Sequence, residues 1–301
     1  MFKYLIVFSL LCTPAFAGVG DRLSFEVSIN GEEVPYQLFS FFVMPGEQVN
    51  LSANAAFELA TNGMVVTKRS ENKYAVKAPQ KPGAYKVTIL KDAERMVLNI
   101  LVLTPMTAKK GEYLNGYRIG NYPAKPLNDD PIYARPTGLF EVTAETENLQ
   151  LTPNFNMRQF ICKQEGGFPK YLIIRERLLL KLEYLLAITR SKGIDIDTFG
   201  FISGYRTPYY NKSIGNVPYS RHVWGGAADI FIDQDNDGQM DDLNHDGVID
   251  EKDVRFFYNL VEDEYNKQEY KKFVGGLGFY KRNERHSGFI HVDVRGKRAR
   301  W

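Results

Sequence analysis

Strict alternation of apolar and polar residues dominates the first third of the chain. LSFEVSI (residues 23–29), QVNLSAN (48–54), KYAVKAP (73–79), AYKVTIL (84–90) and MVLNILVL (96–103) each repeat with a period of two. That spacing puts alternate side chains on one face of a pleated strand. Asn30-Gly31, Pro45-Gly46, Asn62-Gly63 and Pro82-Gly83 separate the runs, and such pairs supply the backbone conformations that chain reversals need. Residues 107–150 lose the alternation and are rich in Gly, Pro, Asn and Tyr. Aromatic residues recur there too often for a disordered chain, so this stretch reads as an ordered connector laid over the C-terminal domain.

Further along, the period changes. A helix is expected over 157–164 and a longer one over 169–192. Leu172, Ile173, Leu178, Leu179, Leu182, Leu185 and Leu186 form a helical stripe in the longer one, and Gly193 stops it. TFGFISG, AADIFI, GGLGFY and FIHVDV then read as strands. The expected organisation is therefore an Ig-like β-sandwich over 18–106, the connector over 107–150 and an α+β domain over 151–301. That last domain would carry a small, mainly antiparallel sheet beside its helices.

Composition narrows the setting. With 44% hydrophobic residues in 301, the chain can bury one or two cores, and a net charge of +2 gives no reason to invoke nucleic acid. Lys3, an apolar run over 4–12 and the end Ala15-Phe16-Ala17 have the form of a secretory signal over residues 1–17. The run is too short for a membrane span, so no integral membrane segment is expected after cleavage. Removal of Cys12 with the signal would leave Cys162 without a disulfide partner, which suits a periplasmic or secreted monomer of a Gram-negative bacterium.

The chemistry lies in two segments, Ser220–Ile230 (SRHVWGGAADI) and Gly288–Gly296 (GFIHVDVRG). In the second, Ile290, Val292 and Val294 take one face, and His291 and Asp293 take the other. Asp229 likewise alternates with apolar neighbours, and Gly225, Gly226, Ala227 and Ala228 keep the backbone slim where His222 must fold back. A buried Asp needs a partner, and His222, Asp229 and His291 together make a three-ligand Zn2+ site with an open fourth position.

SGYRTPYYN (203–211), SRHVWGGAADI, GGLGFY and GFIHVDVRG resemble the M15 metallopeptidases, the D-alanyl-D-alanine carboxypeptidase and murein endopeptidase group. The resemblance covers roughly residues 150–301. It implies an M15-like fold, His222, Asp229 and His291 as zinc ligands, and peptidoglycan peptides as substrate. It also implies that Arg206 binds a substrate carboxylate or the oxyanion, with Ser203, Tyr205 and Ser220 beside it as substrate-binding residues. Several M15 enzymes place an acidic base three residues before the last zinc His, where this chain has Gly288. His286 and Asp293 are the expected substitutes, with Glu284 next in line.

An acidic insert, residues 233–253, holds eight Asp, one Glu and one Lys. Its second half fits a twelve-position Ca2+ loop through Asp242, Asn244, Asp246, the Val248 carbonyl, Asp250 and Asp253, with Asp in place of the usual final Glu. Its first half, through Asp233, Asp235 and Asp237, begins the same way. One or two structural calcium ions are expected. RGKRARW reads as a solvated segment with Trp301 packed on the domain, or as a contact for anionic wall polymer. The expected function is an exported zinc peptidase of peptidoglycan; the alternative is a non-catalytic, calcium-stabilised cell-wall binding protein that retains the zinc site.

Overall fold

A computed structural model of the protein describes residues 22–301. The expected signal over 1–17, with Cys12, lies outside the described residues. The described chain is a mixed α+β protein dominated by sheet.

The alternating runs pair into two sheets. One places Val27–Ile29 between Glu32–Glu33 and Gln48–Ala53, continuing through Lys73–Lys77 to Val65–Ser70. The other runs Leu38–Val43, Glu94–Val102, Gly83–Lys91, Glu58–Thr61, with its first pair parallel. Inward positions such as Val49, Leu51 and Val76 of one sheet and Val87, Ile89, Leu98 and Ile100 of the other are fully buried. Leu38–Val43 belongs to no alternating run because it is buried along almost its whole length, and a strand covered on both faces shows no period of two.

Its outer cover comes from later in the chain. Ser40 Oγ donates to the Leu151 carbonyl at 2.9 Å, and Asn99 Nδ2 donates to Ser40 Oγ at 3.0 Å and to the Gln150 carbonyl at 2.9 Å. Glu176, at the start of the long helix, accepts from the Phe42 amide at 3.1 Å. The segment expected as a connector contributes Gly138–Val142, the central strand of a sheet flanked by Thr104–Pro105 and Lys170–Leu172.

Two expected helices are shorter than their apolar stripes. Residues 157–164 form only a 3-10 turn, Met157–Phe160, and the long helix begins at Glu176 rather than 169, ending at Ser191. Tyr171 and Leu172 instead pair with Glu141 and Phe140. The continuous apolar run 171–174 fits a buried strand and a buried helix equally well.

A second five-stranded sheet carries the chemistry, in the order Gly200–Ser203, Ala227–Phe231, Phe289–Asp293, Gly276–Tyr280, Ala299–Arg300. Behind it lies Lys181 of the long helix, almost fully buried. Its Nζ donates to the carbonyls of Phe273 at 3.1 Å and Asp293 at 2.8 Å. Burial, above all, pushes this ammonium down to about 7, against the opposing pull of Asp293. The unfolded chain holds that proton up to the ordinary lysine range, so between pH 7 and 9 it binds more protons than the folded protein. Stability should therefore gain a rising contribution from Lys181 across that window and none below about pH 7. Urea unfolding at pH 6, 7, 8 and 9 tests this: the stability difference between wild type and Lys181→Met should change with pH only above 7, and a constant difference refutes it.

Candidate metal centre

Register places the site residues in one row. Ser203 pairs with Asp229, Asp229 with His291 and His291 with Gly278, across four adjacent strands. Directly paired residues share a face of the sheet, so the two ligand candidates must meet. His222 arrives from the 3-10 turn Arg221–Trp224, which closes on Gly225 in the left-handed conformation at φ 64°. A Cβ at Gly225 would lie 1.9 Å from the Ile173 carbonyl oxygen. Only glycine lets the chain swing from His222 into the Asp229 strand at this point.

His222 Nε2 lies 3.1 Å from Asp229 Oδ1 and 3.1 Å from His291 Nδ1, and His291 Nδ1 lies 2.8 Å from Asp229 Oδ1. The far nitrogens are engaged elsewhere. His222 Nδ1 donates to the Gly204 carbonyl at 2.6 Å, and His291 Nε2 donates to Asp293 Oδ2 at 3.1 Å. Each ring therefore turns its other nitrogen to the centre. Burial, chiefly, holds His222 below its ordinary value, with the Arg206 charge adding to it against Asp229. Burial works the same way on His291 but is outweighed by its bonds to Asp229 and Asp293, which hold it up. Asp229 stays far below the usual carboxylate range because the two histidines overcome its own burial.

Without a cation, three acceptors share at most the one proton that His291 can carry. A divalent ion satisfies all three at once. Tetrahedral zinc with bonds of about 2.0–2.1 Å separates its ligand atoms by about 3.3 Å, close to the spacing here. The donor set, two neutral imidazoles and a carboxylate, suits zinc.

Asp293 does not face the cleft as expected of a base. It is fully buried behind His291 and accepts from Gly276 N at 2.8 Å, Arg295 N at 3.0 Å and Arg295 Nη2 at 2.5 Å. Its lone pairs are committed, so it orients His291 and cannot take a substrate proton. Tyr205 is also displaced from its expected role. It is a core residue, its hydroxyl 3.0 Å from that of Tyr122, which serves packing rather than substrate. Ser203 Oγ accepts from Arg206 Nε at 2.8 Å and tethers that side chain. Glu284 is exposed and lies outside the cleft lining.

The cleft over the candidate metal centre measures about 820 Å3, and Arg206, Ser220, His222, Asp229, His286 and His291 all line it. Arg206 binds Asp229 Oδ2 through Nη2 and leaves Nη1 without a hydrogen-bond partner among the described residues. His286 donates from Nδ1 to the Ser287 carbonyl at 2.8 Å, and its Nε2 accepts from Asn283 Nδ2 at 2.7 Å.

Two segments expected only to pack on the domain form walls of the cleft. The 123–136 stretch supplies Leu127 and Tyr133 and is strapped down by Tyr219 Oη to Lys125 O, Arg221 Nη1 to Ile132 O and Trp224 Nε1 to Ala134 O, each 2.9 Å. Trp301 forms the other wall. Its ring centroid lies 5.1 Å from that of His291, on a bed made by Gly276 and Gly278, whose Cβ atoms would come within 2.8 and 2.5 Å of the indole. GGLGFY held that signal, two glycines on one face of a strand.

The acidic insert folds as a tandem repeat. Asp233 accepts from the Asp237 and Gly238 amides as Asp242 does from the Asp246 and Gly247 amides, nine residues on. Asp233, Asp235 and Asp237 bring carboxylate oxygens within 4.8 Å of one another. The second loop differs from expectation. Asp253 is buried, with both oxygens spent on the amides of Leu243, Asn244 and Asp250, and so cannot close an ion shell. Asp250 caps the Glu251–Glu262 helix, and Lys252 Nζ sits 2.6 Å from Asp246 Oδ2. The Val248 amide donates to Asp246 Oδ1 at 3.1 Å, which turns the loop as in its twin. Convergence favours the first loop rather than the second.

No protein-family model and no curated protein matches the chain. Among solved structures, 27% of it is similar to a DUF4784 family protein from Bacteroides caccae, at 12% identity and a TM-score of 0.18, and the chain spans about a quarter (24%) of that protein's length.

Because Asp293 fixes the tautomer and pose of His291, Asp293→Asn should lower zinc affinity about 10- to 100-fold while His222→Ala abolishes tight binding. Competition with a chromophoric chelator measures both. Wild-type affinity in Asp293→Asn would show that the ring is held by other contacts.

Proposed function

We propose that the protein is an exported zinc peptidase of the M15 kind that hydrolyses peptide bonds in peptidoglycan stems or cross-links. The observation that carries this reading is the meeting of His222 Nε2, Asp229 Oδ1 and His291 Nδ1 within 3.1 Å on the floor of an open cleft. Three protein donors with space above them are the arrangement of catalytic rather than structural zinc.

A zinc ion held there supplies Lewis acidity and water activation at neutral pH. The chain's own residues do the rest. Arg206, fixed by Ser203 and Asp229, turns Nη1 into the cleft, where a guanidinium stabilises a developing oxyanion or binds a carboxylate. Ser220 lines the same cleft, two residues ahead of His222. His286 is the proton acceptor we assign. Its Nε2 lone pair is held by the neutral Asn283 amide, a bond that substrate or water can replace.

A second reading, a wall-binding protein that keeps its metal without turnover, draws on one observation. Asp229 is the sole carboxylate among the described residues lining the cleft, so no acidic base is at hand.

Zinc-loaded protein should convert purified muropeptides to products that mass spectrometry identifies. His286→Ala should keep its zinc and lose about 10²–10⁴-fold in rate, the usual contribution of proton transfer. No cleavage by the loaded wild type would favour the binding reading, and full activity in His286→Ala would remove that residue from the mechanism.

Calcium belongs to the same proposal, as a structural ion in the loop of Asp233, Asp235 and Asp237. The Met240 amide of this insert donates to Ser287 Oγ at 2.7 Å, next to His286, so the insert braces the cleft. Added calcium should raise the thermal midpoint of chelator-treated protein by mass action, and Asp235→Ala should remove the response. Equal midpoints with and without calcium in the wild type would exclude the ion.

A further inference from the structure

The cleft is cationic to a degree that Arg206 alone does not explain. Arg206, Arg221, Arg285 and Arg295 line it against the single carboxylate of Asp229. Arg206 and Asp229 neutralise each other. Arg295 shares its carboxylate, Asp293, with His291, and Arg221 has no carboxylate partner among the described residues.

Arg295 is built like Arg206. Its Nε and Nη2 are locked on buried Asp293 at 2.9 and 2.5 Å, and the guanidinium carbon sits 5.2 Å over the Trp301 ring. Nη1 has no hydrogen-bond partner among the described residues, so one edge of a rigid fork is left for the cleft. Arg221 lies on the same wall, only 3% exposed, with no carboxylate within 4.0 Å. Nη1 reaches the Ile132 carbonyl and the guanidinium covers the Tyr133 ring at 4.8 Å, but Nε is a buried donor without a partner. A buried charge with an unmet donor is costly unless an anion completes the site.

We propose that Arg295 and Arg221 form an anion subsite across the cleft from Arg206, which takes a carboxylate of the substrate peptide remote from the bond that is cleaved. The peptide part of this rests on the peptidase reading; the anion part does not. The substrate class is then narrower than peptides in general. It is a peptide with two separated carboxylates, one met by Arg206 and one by the Arg295 wall. Arg295 is a specificity-determining residue, held in pose by Asp293 and by Trp301 on its glycine bed.

The test uses the full chain, stripped of metal, and the emission of its two tryptophans. Trp224 is fully buried, while Trp301 is 46% exposed beside Arg295, and Trp301→Phe identifies the signal. Two acetylated stem-type peptides are titrated, one with a free α-carboxylate at a γ-linked glutamate and its twin with a carboxamide there. The acid should bind the wild type about 10- to 100-fold tighter, the scale of a charge-assisted hydrogen bond. Arg295→Gln should bring the ratio close to one, and Arg295→Lys, which keeps charge without the fork, should retain part of it.

Equal binding of acid and amide by the wild type overturns the subsite without any variant, as does a preference that survives in folded Arg295→Gln. Inorganic phosphate that displaces the acid at equal concentration would mark a free-anion site and overturn the peptide class. Zinc-loaded wild type separates the two proposals. Cleavage of both peptides with equal kcat/KM leaves the peptidase standing and fells the subsite, whereas acid preference without cleavage supports the subsite and fells the peptidase.

Discussion

Everything at this site depends on one register. Asp229 faces His291 across an antiparallel pair, and a slip of one residue would put the two side chains on opposite faces of the sheet. The face away from the cleft is covered by the Glu251–Glu262 helix, whose Tyr258 and Arg255 lie on Phe279, so the slipped pairing would bury one polar member of the pair against that packing. Register thus fixes two of the three donors. Gly225 then fixes the third, because its left-handed turn is what returns His222 to the row.

From the row, constraint passes outward through hydrogen bonds. Asp293 holds His291, Arg295 holds Asp293, and Trp301 covers Arg295 and His291 together. On the other side Ser203 and Asp229 hold Arg206. The two N-terminal sheets bear on this indirectly. Their strand Leu38–Val43 is closed by Glu176 and by the Gln150 and Leu151 carbonyls, so the helix behind the site sheet and these sheets are packed as neighbours rather than strung on a linker.

Much of this was legible in the sequence, for identifiable reasons. Alternation marked Gln48–Ala53 and Gly83–Lys91 because each has one wet face, and it failed for Leu38–Val43, which has none. The three metal-site residues stood out because histidines are few and lie among Gly, Ala and β-branched neighbours. Asp293 was correctly placed on the face of His291, but periodicity gives a face and not a depth. The amide and guanidinium donors that occupy it come from Gly276 and Arg295, and neither residue announces that role. Tyr205 was assigned by motif, and motifs do not tell a wall from the packing behind it. The insert's nine-residue repeat was hidden by reading it in frames of twelve, and Lys252 became informative only once its ammonium was seen beside Asp246.

The charge balance orders these roles. Around the centre lie two buried carboxylates, Asp229 and Asp293, and, leaving aside the exposed Arg285, three buried or half-buried guanidiniums, Arg206, Arg221 and Arg295. Without a metal the surplus is a single positive charge, tolerable beside solvent. A divalent ion raises it to three in a cleft with low-dielectric walls, where fields reach further than in water. Such a site repels cationic ligands and draws anionic ones, and it is least strained when a carboxylate is bound. Under the proposed function, metal and acidic substrate would therefore favour each other's binding, and the arginines that anchor the candidate ligands would also set which peptides enter.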